Sequence, residues 1–149
     1  LTSDLTSAPA LASLMEQLAR RIHSQGYAAD LFPAQWSALR YLASAPPNLR
    51  TAIDLARFQG LASGAVARTV RTLVSKGLIA KGGTIGRGRA EQLNLTDAGR
   101  ALLEEDPLRH IAAALETLCQ DDRRALSQGI EIAIKATMSG NETDAATGK

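Results

Sequence analysis

The sequence predicts a mainly α-helical fold with one small β-hairpin: a winged helix-turn-helix whose flanking helices pair two copies of the chain. Three observations predict it. Residues 63–76 repeat Val66, Val70, Leu73 and Val74 along one narrow stripe at helical spacing. A short amphipathic segment and a glycine turn precede them, and an alternating segment with a glycine-rich tip follows, giving the order helix, turn, helix, hairpin. Apolar stripes at both ends of the chain exceed what so small a core can cover.

Taken in order, Leu1 to Ser7 is polar and loose. From Pro9 to Gln25, Leu11, Leu14, Leu18 and Ile22 form a helical stripe; Pro9 suits a first turn and Gly26 ends the helix. Pro33 opens the next helix, with Trp36, Leu39, Leu42 and Ala43 as its buried face and Pro46-Pro47 as its stop. Thr51 is a candidate N-cap for a short helix ending at Gln59, and Asp54 stands where a capping box places its acid. Gly60 and Leu61 supply a tight corner, and Ser63 can cap the helix that follows.

Gly77 can end that helix. Leu78 to Lys81 then begins an extended run, Gly82 to Gly88 form a flexible tip, and Arg89 to Leu95 return with Glu91, Leu93 and Leu95 on one face. Thr96 or Asp97 caps a helix carrying Leu102 and Leu103, and Pro107 breaks or kinks it. Leu108, Ile111, Leu115 and Leu118 continue an apolar stripe, and Asp121 or Asp122 caps a last helix with Leu126, Ile130, Ala133, Ile134 and Met138. The expected division is a dimerisation region at residues 8–30 and 97–139, a winged helix-turn-helix at 31–96 and a disordered tail at 140–149.

Charge sharpens the functional expectation. Residues 50–100 carry nine basic side chains against three acidic ones, whereas the rest of the chain is net acidic, and the whole is +2. The side of 63–76 opposite its apolar stripe shows Ala65, Arg68, Thr69, Arg71, Thr72 and Lys76, with no carboxylate among them. Cations and short hydrogen-bonding groups suit a major groove, whereas an ordinary solvated helix face usually mixes both signs. A plain helical hairpin within a bundle is the competing account of this pair of helices. The expected DNA-contacting set is Ser63, Ala65, Arg68, Thr69, Arg71, Thr72 and Lys76 on the reading helix, Arg87 and Arg89 at the hairpin tip, and Arg50 and Thr51 at the start of the first helix. The tip glycines do not make a nucleotide-phosphate loop, because a strand follows them rather than a helix.

Other functions find little support. At 149 residues the chain has the length of one domain that needs no metal or disulfide to hold its core. Cys119 is the only cysteine; beside an apolar stripe it reads as a small buried hydrophobe. No apolar run is long enough to span a bilayer and no leader segment is evident, so the expected location is cytoplasmic. His23 and His110 lack partners at ligand spacing, and Ser63 and Ser75 lack a neighbouring histidine. The expectation is a protein without metal, cofactor or catalytic residues, and not an enzyme.

Leu55-Ala56 in the first helix, Leu73 with Lys76-Gly77-Leu78 at the end of the second, and Arg89 with Leu95-Thr96 and Gly99 after the hairpin resemble the multiple antibiotic resistance regulator (MarR) family of winged-helix proteins. The resemblance covers residues from about 10 to 139. One departure is Arg87, which stands where the family's wing pattern has an acid, so that acid's role is not carried over. The resemblance implies a homodimer joined by its terminal helices on a palindromic site in double-stranded DNA, acting as a repressor. It also implies release by a small aromatic or anionic effector, with His23, Tyr27, Trp36 and Arg40 as candidate lining residues. A winged helix used as a protein-interaction module, without specific DNA binding, is the alternative.

Overall fold

A computed structural model describes residues 4–86, 88 and 90–146, the last eight of these by backbone alone. In chain order the helices and strands are α1 (Ala8–Gln25), α2 (Pro33–Ser44), α3 (Ala52–Gln59), α4 (Ser63–Ser75), β1 (Ile79–Ile85), β2 (Ala90–Leu95), α5 (Asp97–Leu103), α6 (Leu108–Leu115) and α7 (Gln120–Ala146). Single 3-10 turns at Ala28–Asp30 and Pro47–Leu49 flank α2. The architecture is the mainly helical winged helix-turn-helix expected. Contacts divide the chain into two compact units, Ala19–Arg109 and Leu1–Leu18 with His110–Lys149.

The first of these units holds the core. Trp36, Leu39 and Leu42 of α2 cluster with Leu31, Leu55 of α3, Val66, Val70 and Leu73 of α4, Ile79 of β1 and Leu93 of β2. On α2 the buried row continues to Ala45 through every third residue, so Ala43, expected inside, lies on the exposed side, and Ala38 is buried instead.

The two strands pair antiparallel, with Ile79 opposite Leu95 and Lys81 opposite Leu93. An irregularity between Lys81 and Thr84 shifts the register, after which Thr84 and Ile85 still find Glu91 and Ala90. Because that bulge absorbs the mismatch, β1 runs on through Gly82 and Gly83, and the tip is shorter than the glycines suggest. The Leu93 N–H donates to the Arg50 carbonyl at 2.7 Å, which ties the hairpin to the segment before α3.

Capping follows the sequence at some ends and departs at others. The Thr51 hydroxyl oxygen accepts the Asp54 N–H at 3.2 Å and donates to the Asp54 carboxylate at 2.6 Å. Asp54 is one methylene shorter than the usual glutamate and meets the hydroxyl of the cap. Gly60, in the left-handed region at φ 64, ends α3 and turns the chain. Ser63 is not a cap: extended Ala62 takes that position without a side-chain bond, and Ser63 is already helical.

Thr96 stitches the start of α5 to the end of α4. Its oxygen accepts the Gly99 N–H at 3.1 Å and its hydroxyl donates to the Gly77 carbonyl at 2.6 Å, while its N–H donates to the Leu78 carbonyl at 3.1 Å. Gly99 is buried so close to that Leu78 carbonyl that any Cβ would overlap it. After Leu103 the helix breaks before Pro107 and resumes at Leu108, as the proline foretold.

No residue of α6 is buried, nor any of α1. Leu11, Leu14, Leu115, Leu126, Ile130, Ile134 and Met138 are all exposed. The backbone of α7 continues to Ala146, past the point where a loose tail was expected, because no proline interrupts it and a single glycine only weakens a helix. Cys119 is exposed, a correction to its expected burial: it lies in the turn before α7 and off any helical stripe. Among the described residues no helix is long and apolar enough to cross a membrane.

Replacing Gly99 by Ala is expected to destabilise the winged-helix unit by about 2 kcal/mol or more, since the added methyl meets backbone that cannot move aside. Urea unfolding of the full chain measures this, and a change within 0.5 kcal/mol would contradict it.

Candidate nucleic-acid interface

The reading helix is built by partition. Val66, Val70 and Leu73 go into the core, which turns Ser63, Ala65, Ala67, Arg68, Arg71 and Ser75 outward. Among the described residues neither the Arg68 nor the Arg71 side chain has a hydrogen-bond or ion-pair partner. Thr69, expected to meet DNA, is 9 % exposed. It lies three residues after Val66 and four before Leu73, on the edge of the buried stripe. Thr72 is half-buried, and its hydroxyl donates back to the Arg68 carbonyl at 3.0 Å.

Beside α4 runs a groove of about 440 Å3 between the start of α3 and the hairpin, lined by Ile53, Ala67, Arg71, Lys81 and Glu91 among others. Arg71 and Lys81 place two cations on it; Glu91 faces Lys81 at 3.6 Å. At its α3 end the groove is lined by Thr51, Ala52 and Ile53, where first-turn N–H groups have no partner within the helix. Together they form a positive, donor-rich channel suited to a phosphate backbone. Lys81 was absent from the expected set. Strand alternation could have found it, since Lys81 shares a face with Ile79, which packs into the core with α4.

Three other expected contacts have partners within the chain. Thr51 is buried as the α3 cap. Arg50 donates from Nε to the Ala45 carbonyl at 2.9 Å and lines a cavity that contains no α4 residue. Lys76 donates from Nζ to the Asp30 carbonyl at 2.6 Å. Arg87 and Arg89 lie outside the described residues.

The four expected effector residues differ in exposure and partners. Trp36 is fully buried in the core, with its indole N–H on the Ala28 carbonyl at 3.1 Å. Arg40 lies 5.9 Å from that ring and closes on Asp106 with two bonds of 2.7 Å, so its guanidinium is taken. His23 and Tyr27 are exposed and meet edge to face at 5.7 Å. The cavity that Arg50 lines, of about 550 Å3, has Leu42, Leu95 and Leu103 on its walls, with Asn94, Arg100 and Glu104 as further polar lining. Among the described residues no three or more His, Cys, Asp or Glu side chains are grouped to hold a metal.

Residues 29–90 match the model of the MarR family. Over that segment the chain is similar to the MarR family. The matched segment runs from the 3-10 turn before α2 to the first residue of β2, and so contains α4 and most of the groove beside it. Solved MarR-family structures share the fold over more than the matched segment. The S. aureus MepR–DNA complex superposes with a TM-score of 0.65 over 91% of this chain and 99% of that one, at 16% identity. The PcaV transcriptional regulator from Streptomyces coelicolor, in complex with its natural ligand, gives 0.62 over 92% and 99%, at 23% identity. Apo MarR from E. coli gives 0.60 over 87% and 98%, at 19% identity. No curated protein sequence matches the chain. The family's members are transcription regulators and not enzymes, and this chain has their fold.

The Arg40–Asp106 clasp has a pH signature. Burial pushes the Asp106 carboxyl up, but hydrogen bonds from Arg40 and the Leu108 N–H, with the Arg40 and Arg109 charges, outweigh it and hold the group below the usual aspartate range. A lowered folded-state value means a contribution that is complete above the ordinary value of about pH 4 and lost as pH falls through the lowered one. Asp106→Asn is expected to cost about 2 kcal/mol at pH 7, and the gap to wild type should narrow in urea titrations below about pH 4. A gap that stays constant down to pH 2 contradicts the assignment.

Proposed function

We propose that the protein is a homodimeric transcription regulator that binds a palindromic site in double-stranded DNA and represses by occupying it. The α4 helix enters the major groove, with Arg68 and Arg71 reaching base edges or adjoining phosphates and Ser63 and Ala65 at its leading end. The channel between α4 and the hairpin takes the flanking backbone, assisted by Arg87 and Arg89 at the tip. One observation carries this reading: the outward face of α4 shows two arginines without partners among the described residues, beside a groove with a further lysine. The fold shared with the MepR–DNA complex supports it. On this reading the protein acts in the cytoplasm.

Dimerisation is supported by the amphipathic terminal helices. Leu11 and Leu14 of α1, with Leu126, Ile130 and Ile134 of α7, offer apolar surface that a single chain leaves wet, and such surface favours burial against a like copy. Two reading helices on one twofold axis match a palindromic site. An effector is supported by the Arg50 cavity. Its apolar walls and the Arg50 guanidinium, whose terminal nitrogens have no acceptor among the described residues, fit a small organic carboxylate; Arg100, paired with Asp97, adds a second positive charge and Glu104 a negative one.

Three measurements check this. Changing Arg68 and Arg71 together to Ala should weaken binding to duplex from the protein's own upstream region at least tenfold. It should also reduce the slope of log K against log salt by about 1–2, as lost phosphate contacts do. Unchanged affinity and slope would leave the protein-interaction alternative in its place. Light scattering should give twice the 15.7 kDa chain mass for wild type, and about one chain mass for Leu126→Glu with Ile130→Glu; a wild-type monomer counts against the dimer. Small aromatic carboxylates should raise the melting temperature of wild type by mass action. They should fail to do so for Arg50→Met with Arg100→Gln, and equal shifts in both proteins exclude this cavity.

A further inference from the structure

The loop between α1 and α2 is more tightly built than a connection requires. Its ends close on each other: Gly26 is buried, and a Cβ there would come within 3.0 Å of Pro33. Leu31 enters the core at 2 % exposure. The Ala28 carbonyl accepts twice, from the Leu31 N–H at 3.1 Å and from the Trp36 indole at 3.1 Å. Between these anchors, Ala29 and Asp30 both lie in the left-handed region, at φ 54 and φ 58. They are the only non-glycine residues with positive φ among the described ones. Two consecutive L-residues hold that conformation only where surrounding contacts over-determine it.

The contact that uses this geometry comes from the reading helix. Lys76, the C-cap of α4, donates from Nζ to the Asp30 carbonyl at 2.6 Å, across 46 residues of sequence. The Asp30 carboxylate is a further 3.7 Å neighbour but is fully exposed. A left-handed Asp30 turns its carbonyl outward to the lysine, and the indole bond fixes the residue before Ala29. The lysine is therefore joined, through backbone, to the largest buried side chain of α2.

We propose that the Tyr27–Phe32 loop is a strut that sets the position of the recognition helix, and that Lys76 is its positioning residue and not a DNA contact. The proposal rests on the DNA-binding reading for its consequence but not for its existence, since the strut acts in the free protein. Removing the ammonium should loosen the last turn of α4, where the Lys76, Gly77 and Leu78 amides bond to Thr72, Val74 and Leu73. It should also alter the surroundings of Trp36, the single tryptophan of the chain.

The test compares wild type, Lys76→Met and Lys76→Arg as full chains, with Ala29→Val as a second route to the same loop. Valine tolerates the left-handed region poorly and leaves Lys76 intact. Lys76→Met and Ala29→Val should both speed amide exchange at residues 76–78 about tenfold and shift Trp36 emission, and Lys76→Arg should restore both. On duplex DNA both variants should bind several-fold more weakly with the salt slope unchanged. A slope lowered by about 0.9 for Lys76→Met alone, with exchange unaltered, makes Lys76 a phosphate contact and overturns the proposal. Unaltered exchange and emission in both variants overturn it as well. Quickened exchange in a protein that binds no DNA in any form upholds the strut and refutes the DNA-binding reading.

Discussion

One packed stripe decides how this protein presents itself. Val66, Val70 and Leu73 of α4 close against Trp36, Leu39, Leu42 and Leu55, and so fix the rotation of the helix about its own axis. Burying such side chains fully is worth about 1.5–3 kcal/mol each, far more than any surface ion pair in the chain. The same burial turns Arg68 and Arg71 outward without further instruction, because a helix that hides one face must show the other. Thr69, caught at the stripe's edge, is hidden with it.

The cations of the basic segment separate into two groups by what they touch. Arg50 and Lys76 each bond a backbone carbonyl, and Arg100 bonds both the Leu95 carbonyl and the Asp97 carboxylate. Arg68 and Arg71 have no such partner among the described residues, and Arg71 stands with Lys81 on the groove beside the hairpin. A count of positive charge does not distinguish these groups, although counterion release belongs only to cations that can reach a phosphate. The unpartnered cationic surface on α4 is thus narrower than the net charge of the basic segment suggests.

The end of α4 concentrates three constraints in a few residues. Thr96 bonds the Gly77 and Leu78 carbonyls, Gly99 packs against Leu78, and Lys76 reaches Asp30. They tie the helix end to two elements, α5 in two cases and the α1–α2 loop in the third. Helix ends fray where their carbonyls and amides lack partners, and these contacts supply partners from outside the helix. Elsewhere Arg40 and Asp106 bind α2 to the break before Pro107, so the interruption of the helix is itself held in place.

Periodicity and breakers made most of the fold legible in the sequence. The spacing of Val66, Val70 and Leu73, the corner at Gly60, the cap at Thr51, the alternation around Leu93 and the stop at Pro107 each depend on neighbours within a few residues, and each stands where the sequence put it. What the chain alone did not disclose depends on partners distant in sequence. Arg50, Arg40 and Lys76 are basic residues whose acceptors lie on other elements, and Gly99 is required by a carbonyl that only folding brings to it. The bulge that carries β1 through Gly82 and Gly83 needs the opposing strand to exist. Local chemistry chooses the elements; which charge stays available for a partner is decided by three-dimensional contact, because hydrogen bonds and excluded volume act through space and not along the chain.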